Sequence, residues 1–130
     1  MNNKNVTKEY LENGRICLER TYENGIIHKE VKYHENGKIR REGFYENGKM
    51  NGVWKSYYES GKIYIVENKK NFDNHGLYIV YYENGLMWLR MHYKNDEVHG
   101  WVETWNKQGD LISKQKYKNG EPVFYKKIIK

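Results

Sequence analysis

The dipeptide Asn-Gly, flanked by alternating apolar residues, recurs along the chain and constrains its fold more than any other feature. Between alternating runs it is the strongest short-range signal for a β-hairpin, because both residues tolerate positive φ. The segments between turns are about eight residues long, an ordinary strand length, and turns recur too closely for helices. The turn glycines are Gly14, Gly25, Gly37, Gly48, Gly61, Gly85, Gly109 and Gly120.

The turns also fall into a longer frame. Every second one recurs after 23 to 24 residues, and a second landmark, at Gly52, Gly76 and Gly100, recurs every 24. Two landmarks in one frame indicate a repeat array in which each unit packs on its neighbours. The sequence therefore predicts an all-β fold, an extended single-layer antiparallel sheet of tandem β-hairpins with about eleven strands.

Two turn geometries fit the repeated Asn-Gly. We favour a type I turn that contains Asn, followed by Gly in the left-handed position of a β-bulge; a two-residue type I′ turn is the alternative. The spacing after Gly61 is irregular, which predicts a displaced turn or a bulge around residues 67–74.

Alternation along the strands assigns side chains to two faces. We name as the ladder face the one that carries Met87, Leu89, Met91 and Tyr93. Under the favoured turn, the strands that enter each turn add Val53, Tyr57, Leu77, Ile79, Tyr81, Trp101 and Trp105 to it. The opposite face then receives Trp54, Tyr58, Tyr78, Val80, Tyr82 and Trp88.

Charge and cysteine content bound the environment of the protein. The net charge is +6, and residues 107–130 hold 7 basic and 2 acidic side chains, so most of the excess lies there. A single cysteine, Cys17, excludes an internal disulfide and favours a reducing compartment. With no apolar N-terminal segment, we expect a cytoplasmic location. The predicted organisation is a flexible segment at 1–8, a repeat domain at 9–125 and a basic tail at 126–130.

The pattern Tyr-x-Glu-Asn-Gly-Lys-Ile, followed by His/Asn-Gly-x-Trp/Tyr-x-x-Tyr-Tyr, resembles the MORN-repeat variant of bacterial YwqK-type antitoxins. The resemblance covers roughly residues 10–125. It implies a sheet of hairpins in series and an antitoxin-like or immunity-like role.

Nothing in the sequence has the pattern of a catalytic centre. His34, His75 and His99 lie in turns, where a structural role is the simpler interpretation. No two histidines have a metal-ligand spacing, and no phosphate-binding loop is present. We therefore expect no enzyme activity, no cofactor and no metal.

A row of aromatic side chains on a single-layer sheet favours binding, because exposed apolar patches mark interaction sites and Trp and Tyr dominate interface energetics. The first hypothesis is a module that masks a toxin or effector protein through Trp54, Tyr58, Tyr78, Tyr82, Trp88, Trp101 and Trp105. The second is binding to anionic lipid or another anionic surface through Lys114, Lys116, Lys118, Lys126 and Lys127. The third is self-association, for example as a homodimer. Nucleic acid is the less favoured partner, because the aromatic residues and the lysine excess occupy different parts of the sequence.

Overall fold

A computed structural model describes residues 3–124 as one antiparallel sheet in which each strand pairs with its neighbours in sequence. None of the described residues lies in a helix, and so none lies in a helix able to span a bilayer. The strands are β1 (Lys4–Tyr10), β2 (Ile16–Glu23), β3 (Ile26–Tyr33), β4 (Ile39–Glu46), β5 (Lys49–Tyr57), β6 (Ile63–Lys70), β7 (Asp73–Asn74), β8 (Gly76–Tyr81), β9 (Met87–Lys94), β10 (Glu97–Val98), β11 (Gly100–Trp105), β12 (Leu111–Lys118) and β13 (Glu121–Pro122).

The thirteen strands correspond to eleven crossings of the sheet. β7 and β8 are two parts of one crossing interrupted at His75, and β10 and β11 are interrupted in the same way at His99. Gly76 and Gly100 follow these interruptions with φ of 101° and 90°, the left-handed conformation that glycine adopts without strain. The predicted fold class and the number of crossings are therefore confirmed.

Turns along one edge of the sheet are type I turns followed by a bulge. In the turn Tyr82–Gly85, the Gly85 N–H donates to the Tyr82 carbonyl at 3.0 Å, and the Tyr82 N–H donates to the Leu86 carbonyl at 2.9 Å. Gly85 has φ 90°. The same geometry recurs at Gly14, Gly37, Gly61 and Gly109.

Turns along the other edge are two-residue type I′ turns, in which both central residues have positive φ. Two of them lack glycine: Asn71 and Phe72 have φ of 51° and 74°, and Asn95 and Asp96 have φ of 49° and 68°. Of the displaced turn or bulge expected around residues 67–74, the displaced turn is wrong, because the turn at Asn71–Phe72 lies in the regular frame. The pairing of β6 does shift register, between Lys69↔Asn74 and Val66↔Ile79. The two turn geometries left open by the sequence alternate along the chain.

The bulges correct the predicted faces. After Tyr81 pairs with Met87, Val80 pairs with Leu89, so Trp88 is the extra residue on the outgoing strand. An extra residue in one strand reverses the face of everything beyond it relative to a simple count. Trp54, Tyr78 and Val80 therefore lie on the ladder face. Leu77, Ile79, Trp101 and Glu103 lie on the opposite face with Arg90 and His92.

The sheet begins before the predicted start of the repeat domain at residue 9. β1 starts at Lys4 and pairs with β2 from Lys4↔Glu23 onward, so residues 4–8 are part of the array and not of a separate segment. Every side chain of β1 is exposed, and a strand that buries nothing carries no hydrophobic pattern for a sequence to reveal. Residues 125–130, which include the predicted basic tail, lie outside the described residues.

A single-layer sheet has little interior. The accessible surface is 9227 Å², whereas a compact monomer of 15.8 kDa would expose about 7,300 Å². Buried side chains concentrate near the middle of the array, where Trp54 is 1% exposed and Val31 is 6% exposed on the opposite face. Both surfaces of the sheet remain open to solvent along most of its length.

Candidate binding surface

Trp54, a predicted contact residue, is the most buried side chain among those described. Its indole lies over Gly43, where a Cβ atom would overlap the ring, and its Nε1–H donates to the Phe44 carbonyl at 3.1 Å. Arg41 covers the other side, with its guanidinium 4.9 Å from the ring centre. This corrects the expectation for Trp54: its surface is already occupied by the protein itself, so it packs the sheet and presents nothing to a partner.

Tyr78, a second predicted contact residue, belongs to the same packed part of the ladder face. Its ring meets Tyr93 edge to face at 5.7 Å. Burial raises the pKa of Tyr78, and the nearby carboxylate of Glu67 raises it further. Glu67 is itself held by Arg41 at 2.8 Å and by Lys69 at 3.2 Å. The polar groups here are paired with one another, as stable packing of a half-buried surface requires.

Tyr58 and Tyr82, also predicted contacts, bind one repeat to the next. The Tyr58 hydroxyl donates to the Tyr81 carbonyl at 2.7 Å, and the Tyr82 hydroxyl donates to the Trp105 carbonyl at 2.7 Å. Both bonds span 23 residues. Their rings also pack toward the opposite face, where Tyr82 stacks on Trp88 with ring centres 5.2 Å apart and planes 15° apart. The Tyr82 ring therefore covers one side of the Trp88 ring.

Trp88 and Trp101, by contrast, are exposed on the opposite face, at 43% and 41%. They lie on β9 and β11, which pair directly through Arg90↔Glu103. Trp105 lies on the same face of β11 and is half-buried. Of the seven predicted contact residues, these three tryptophans lie on one face of β9 and β11, separated by Arg90 and Glu103, and Tyr82 stacks on Trp88.

Lysines from β12 complete this surface. Lys116 pairs directly with Trp101, and the Nζ atoms of Lys114 and Lys116 lie 4.5 and 5.8 Å from the centre of its ring. Cations within about 6 Å of an indole face are attracted to it. The lysine excess and the exposed aromatics, far apart in the sequence, therefore share one face. Lys118 is also exposed on that face, whereas Lys126 and Lys127 lie outside the described residues.

Two residues of this surface were missed by the sequence reasoning. Ile112 is 62% exposed on β12, and Arg90 is exposed on β9 between Trp88 and His92. The signal that could have found them was the strand register, because Arg90, Glu103 and Lys114 form one continuous row across three strands. We call one surface the tryptophan–lysine patch; it is formed by Trp88, Arg90, Trp101, Ile112, Lys114 and Lys116.

Two of the three histidines in turns bond to backbone groups. The ring Nε2 of His34 lies 2.8 Å from the Tyr57 carbonyl oxygen, and Nδ1 of His75 accepts from the Asn95 N–H at 3.3 Å. The equivalent Nδ1 of His99 is buried and has no hydrogen-bond partner among residues 3–124. Within that range, no three His, Cys, Asp or Glu side chains are placed to hold a metal ion. His34 and His75 therefore help to hold turns of the sheet in place.

Comparison with known proteins agrees with the repeat frame. Residues 28–47, 50–71 and 74–95 each match the family described as the MORN repeat variant. Each matched segment contains one type I turn and ends at the asparagine that is the first central residue of a type I′ turn. No curated protein matches the chain.

Proposed function

We propose that this chain, three segments of which match the MORN repeat variant, is a binding module that holds a protein partner through the tryptophan–lysine patch. The observation that carries the proposal is the exposure of Trp88 and Trp101 on adjacent strands. In the middle of the array, the largest side chain is covered by its neighbours. In β9–β12, two tryptophans are exposed to solvent on the opposite face.

The composition of the patch is that of an interface centre with a polar surround. Tryptophan and arginine are the residue types enriched at binding hot spots. Trp88 is supported by Tyr82 and Trp101 is flanked by two lysines, so both rings are held in place before a partner arrives. Preorganised side chains lose less conformational entropy on binding.

Charge on the patch selects the chemistry of the partner. Arg90, Lys114 and Lys116 contribute three positive charges, and Glu103 lies between Arg90 and Lys114 as a single negative charge. A partner surface with exposed carboxylates around an apolar centre is complementary to this arrangement. Such complementarity speeds association and makes it sensitive to salt.

The resemblance noted above extends the proposal to an antitoxin-like or immunity-like role in the cytoplasm. In that role the sheet would cover the active surface of a toxin or effector and block it sterically. Once the partner is identified, expressing it alone should inhibit growth, and co-expression of this chain should restore growth. A partner that is harmless when expressed alone would remove the antitoxin role while leaving the binding role intact.

The binding proposal is tested by capture from a lysate of native cells with three tagged proteins: the wild type, the double variant Trp88→Ala/Trp101→Ala, and Phe44→Ala. Phe44 is an aromatic side chain of similar exposure, at 50%, on the same face but in the middle of the array. We expect one stoichiometric protein that the double variant loses and the Phe44→Ala control retains. Loss in both variants, or in neither, would contradict an interface at the patch.

Anionic lipid is the second candidate, favoured by the position of Ile112 and Trp101 beside Lys114 and Lys116. Lysines near an anionic leaflet contribute about 1 kcal/mol each. Flotation with vesicles that contain phosphatidylserine, at low and high salt, separates this candidate from the first. Binding at low salt that Lys114→Gln/Lys116→Gln abolishes would support it. No flotation at low salt would remove it.

A further inference from the structure

The two ends of the sheet differ in what their outer strands expose. β1 has seven residues, all exposed, and pairs with β2 along its whole length. β13 has two residues, one of which is Pro122. Proline blunts a sheet edge, whereas a longer strand without proline presents a row of free backbone groups. Among the described residues, no strand pairs with the outer side of β1.

The hydrogen bonds at both ends of β1 show which groups point outward. The Leu11 N–H donates to the Arg15 carbonyl, and the Asn3 carbonyl accepts from the Asn24 N–H, so Leu11 and Asn3 both face β2. Successive residues of an antiparallel strand direct their N–H and C=O groups to alternate sides. Odd-numbered residues of β1 therefore bond to β2. The even-numbered residues point their backbone groups outward: Lys4, Val6, Lys8 and Tyr10.

We propose that β1 is a dimerisation edge, to which the β1 strand of a second copy of this chain adds antiparallel in the register centred on Thr7. The sheets of the two copies would then form one continuous sheet related by a two-fold axis at Thr7. This interface is at the opposite end of the array from the tryptophan–lysine patch, and it does not depend on what the patch binds.

The register follows from direction and charge. Only registers that place the outward-facing residues opposite one another allow hydrogen bonds between the copies. Centring the pair on Val6 places Lys4 against Lys8 of the second copy, and centring it on Lys8 places Lys8 against itself. Like charges directly opposite are destabilising. Centring on Thr7 places Lys4 against Tyr10, Val6 against Lys8 and Asn5 against Glu9, with no like charges in any pair.

The same register makes full use of the edge. Four hydrogen-bonded pairs form between the copies, and each such pair exchanges two bonds, which gives about eight backbone hydrogen bonds. The lysines do not block this edge, because each is balanced within its own hairpin: Lys4 lies opposite Glu23, and Lys8 lies opposite Glu19.

Light scattering after size-exclusion chromatography tests the dimer. We expect the wild type to have the mass of two chains and to dissociate on dilution. Val6→Pro removes an outward N–H without touching the bonds to β2, so it should have the mass of one chain, the circular dichroism spectrum of the wild type, and a Tm that does not depend on protein concentration. Val6→Thr, the matched control, should remain dimeric. A dimer that survives Val6→Pro would use another surface and would overturn the proposal.

Cross-linking tests the register. In a Cys17→Ser background, Thr7→Cys would place two thiols in a non-hydrogen-bonded pair with Cα atoms about 4.5 Å apart, within disulfide range. We expect a covalent dimer under mild oxidation for Thr7→Cys and far less for Glu9→Cys, whose counterpart is Asn5. A wild type that stays monomeric at all concentrations, or equal cross-linking of the two variants, would overturn the proposal.

Discussion

The middle of the array and its C-terminal part share one backbone frame but differ in what their side chains do. In β4–β6, Trp54 fills the space over Gly43, and Glu67 binds Arg41 and Lys69. In β9–β12, the equivalent central positions carry Met91, Val102 and Gln115, and the large aromatics lie exposed on the other face.

The difference indicates that the two regions of the array have different roles: one stabilises the sheet and the other is available for binding. Turns and strand pairing are the same in both regions, so the backbone supplies the common frame. The middle uses Trp54 and the ion pairs of Glu67 to pack the ladder face, and the C-terminal part leaves two tryptophans exposed on the opposite face. In a repeat array such specialisation is possible because each unit contacts only its neighbours.

Replacing one tryptophan in each region tests this difference in roles most directly. Trp54→Ala removes a fully buried aromatic and should lower the free energy of unfolding by about 3–5 kcal/mol. Trp101→Ala removes an exposed ring and should change it by less than about 0.5–1 kcal/mol. Urea unfolding followed by circular dichroism measures both. Equal losses would show that the two regions are packed alike.

Removing one hydroxyl from each region tests the common frame. Tyr58→Phe and Tyr82→Phe each delete a bond from a phenol to a backbone carbonyl of the next repeat. We expect each to cost about 1 kcal/mol, and the two costs to agree, because the bonds have the same geometry. Partner capture by Tyr82→Phe should be unchanged, since the ring beneath Trp88 remains. Differential scanning calorimetry measures the two losses of stability. Unequal losses would show that the bonds between successive repeats are not equivalent.

Alkaline pH should destabilise the packed part of the ladder face. Burial raises the pKa of Tyr78 and of Tyr93, and negative neighbours add to the effect in both. A raised folded-state pKa means that the stability held by the neutral phenol is complete below pH about 10 and is lost as pH rises through the folded value.

The variant Tyr78→Phe should therefore lose less stability than the wild type between neutral pH and the alkaline range. Tyr10→Phe, at a strand position with 60% exposure, is the matched control and should follow the wild type. Tm measured at a series of pH values, beside the absorbance of tyrosinate, reports both effects. Parallel curves for all three proteins would show that burial of Tyr78 has no part in alkaline unfolding.

The smallest expected effect concerns the turn in the middle of the array. Phe72 holds φ 74° and is 49% exposed. A non-glycine residue in this conformation costs roughly 1–2 kcal/mol, while glycine loses more entropy on folding and would forgo the edge contact with Tyr45. Phe72→Gly should stabilise the protein by about 0.5 kcal/mol, measured by urea unfolding. A loss of stability would mean that the Tyr45 contact outweighs the strain.

The sequence was sufficient to predict the fold because turn residues recur at the period of the structural repeat. It was insufficient to predict which face of the sheet each side chain lies on. That face depends on whether a bulge adds one residue to the strand, and the turn geometry decides whether a bulge forms. The sequence also missed the turn at Asn95–Asp96, since Asp replaces the diagnostic Gly. For the candidate site, it named Trp88 and Trp101, whose part in binding stays a prediction. It could not see that Trp54 covers Gly43, or that Lys114 and Lys116 flank Trp101, because those contacts join different strands.

The hydrogen bonds that join successive turns have a consequence for how the chain folds. The side-chain bonds between repeats span 20 to 26 residues, and strand pairing is between sequence neighbours. Contacts confined to neighbouring strands and repeats favour folding that starts at the most stable unit and spreads outward. The unit around Trp54 is the natural starting point, and β11–β13 would be among the last to form and the first to open. The backbone amides of that end of the array should therefore exchange their hydrogens with solvent sooner than those of the strands around Trp54.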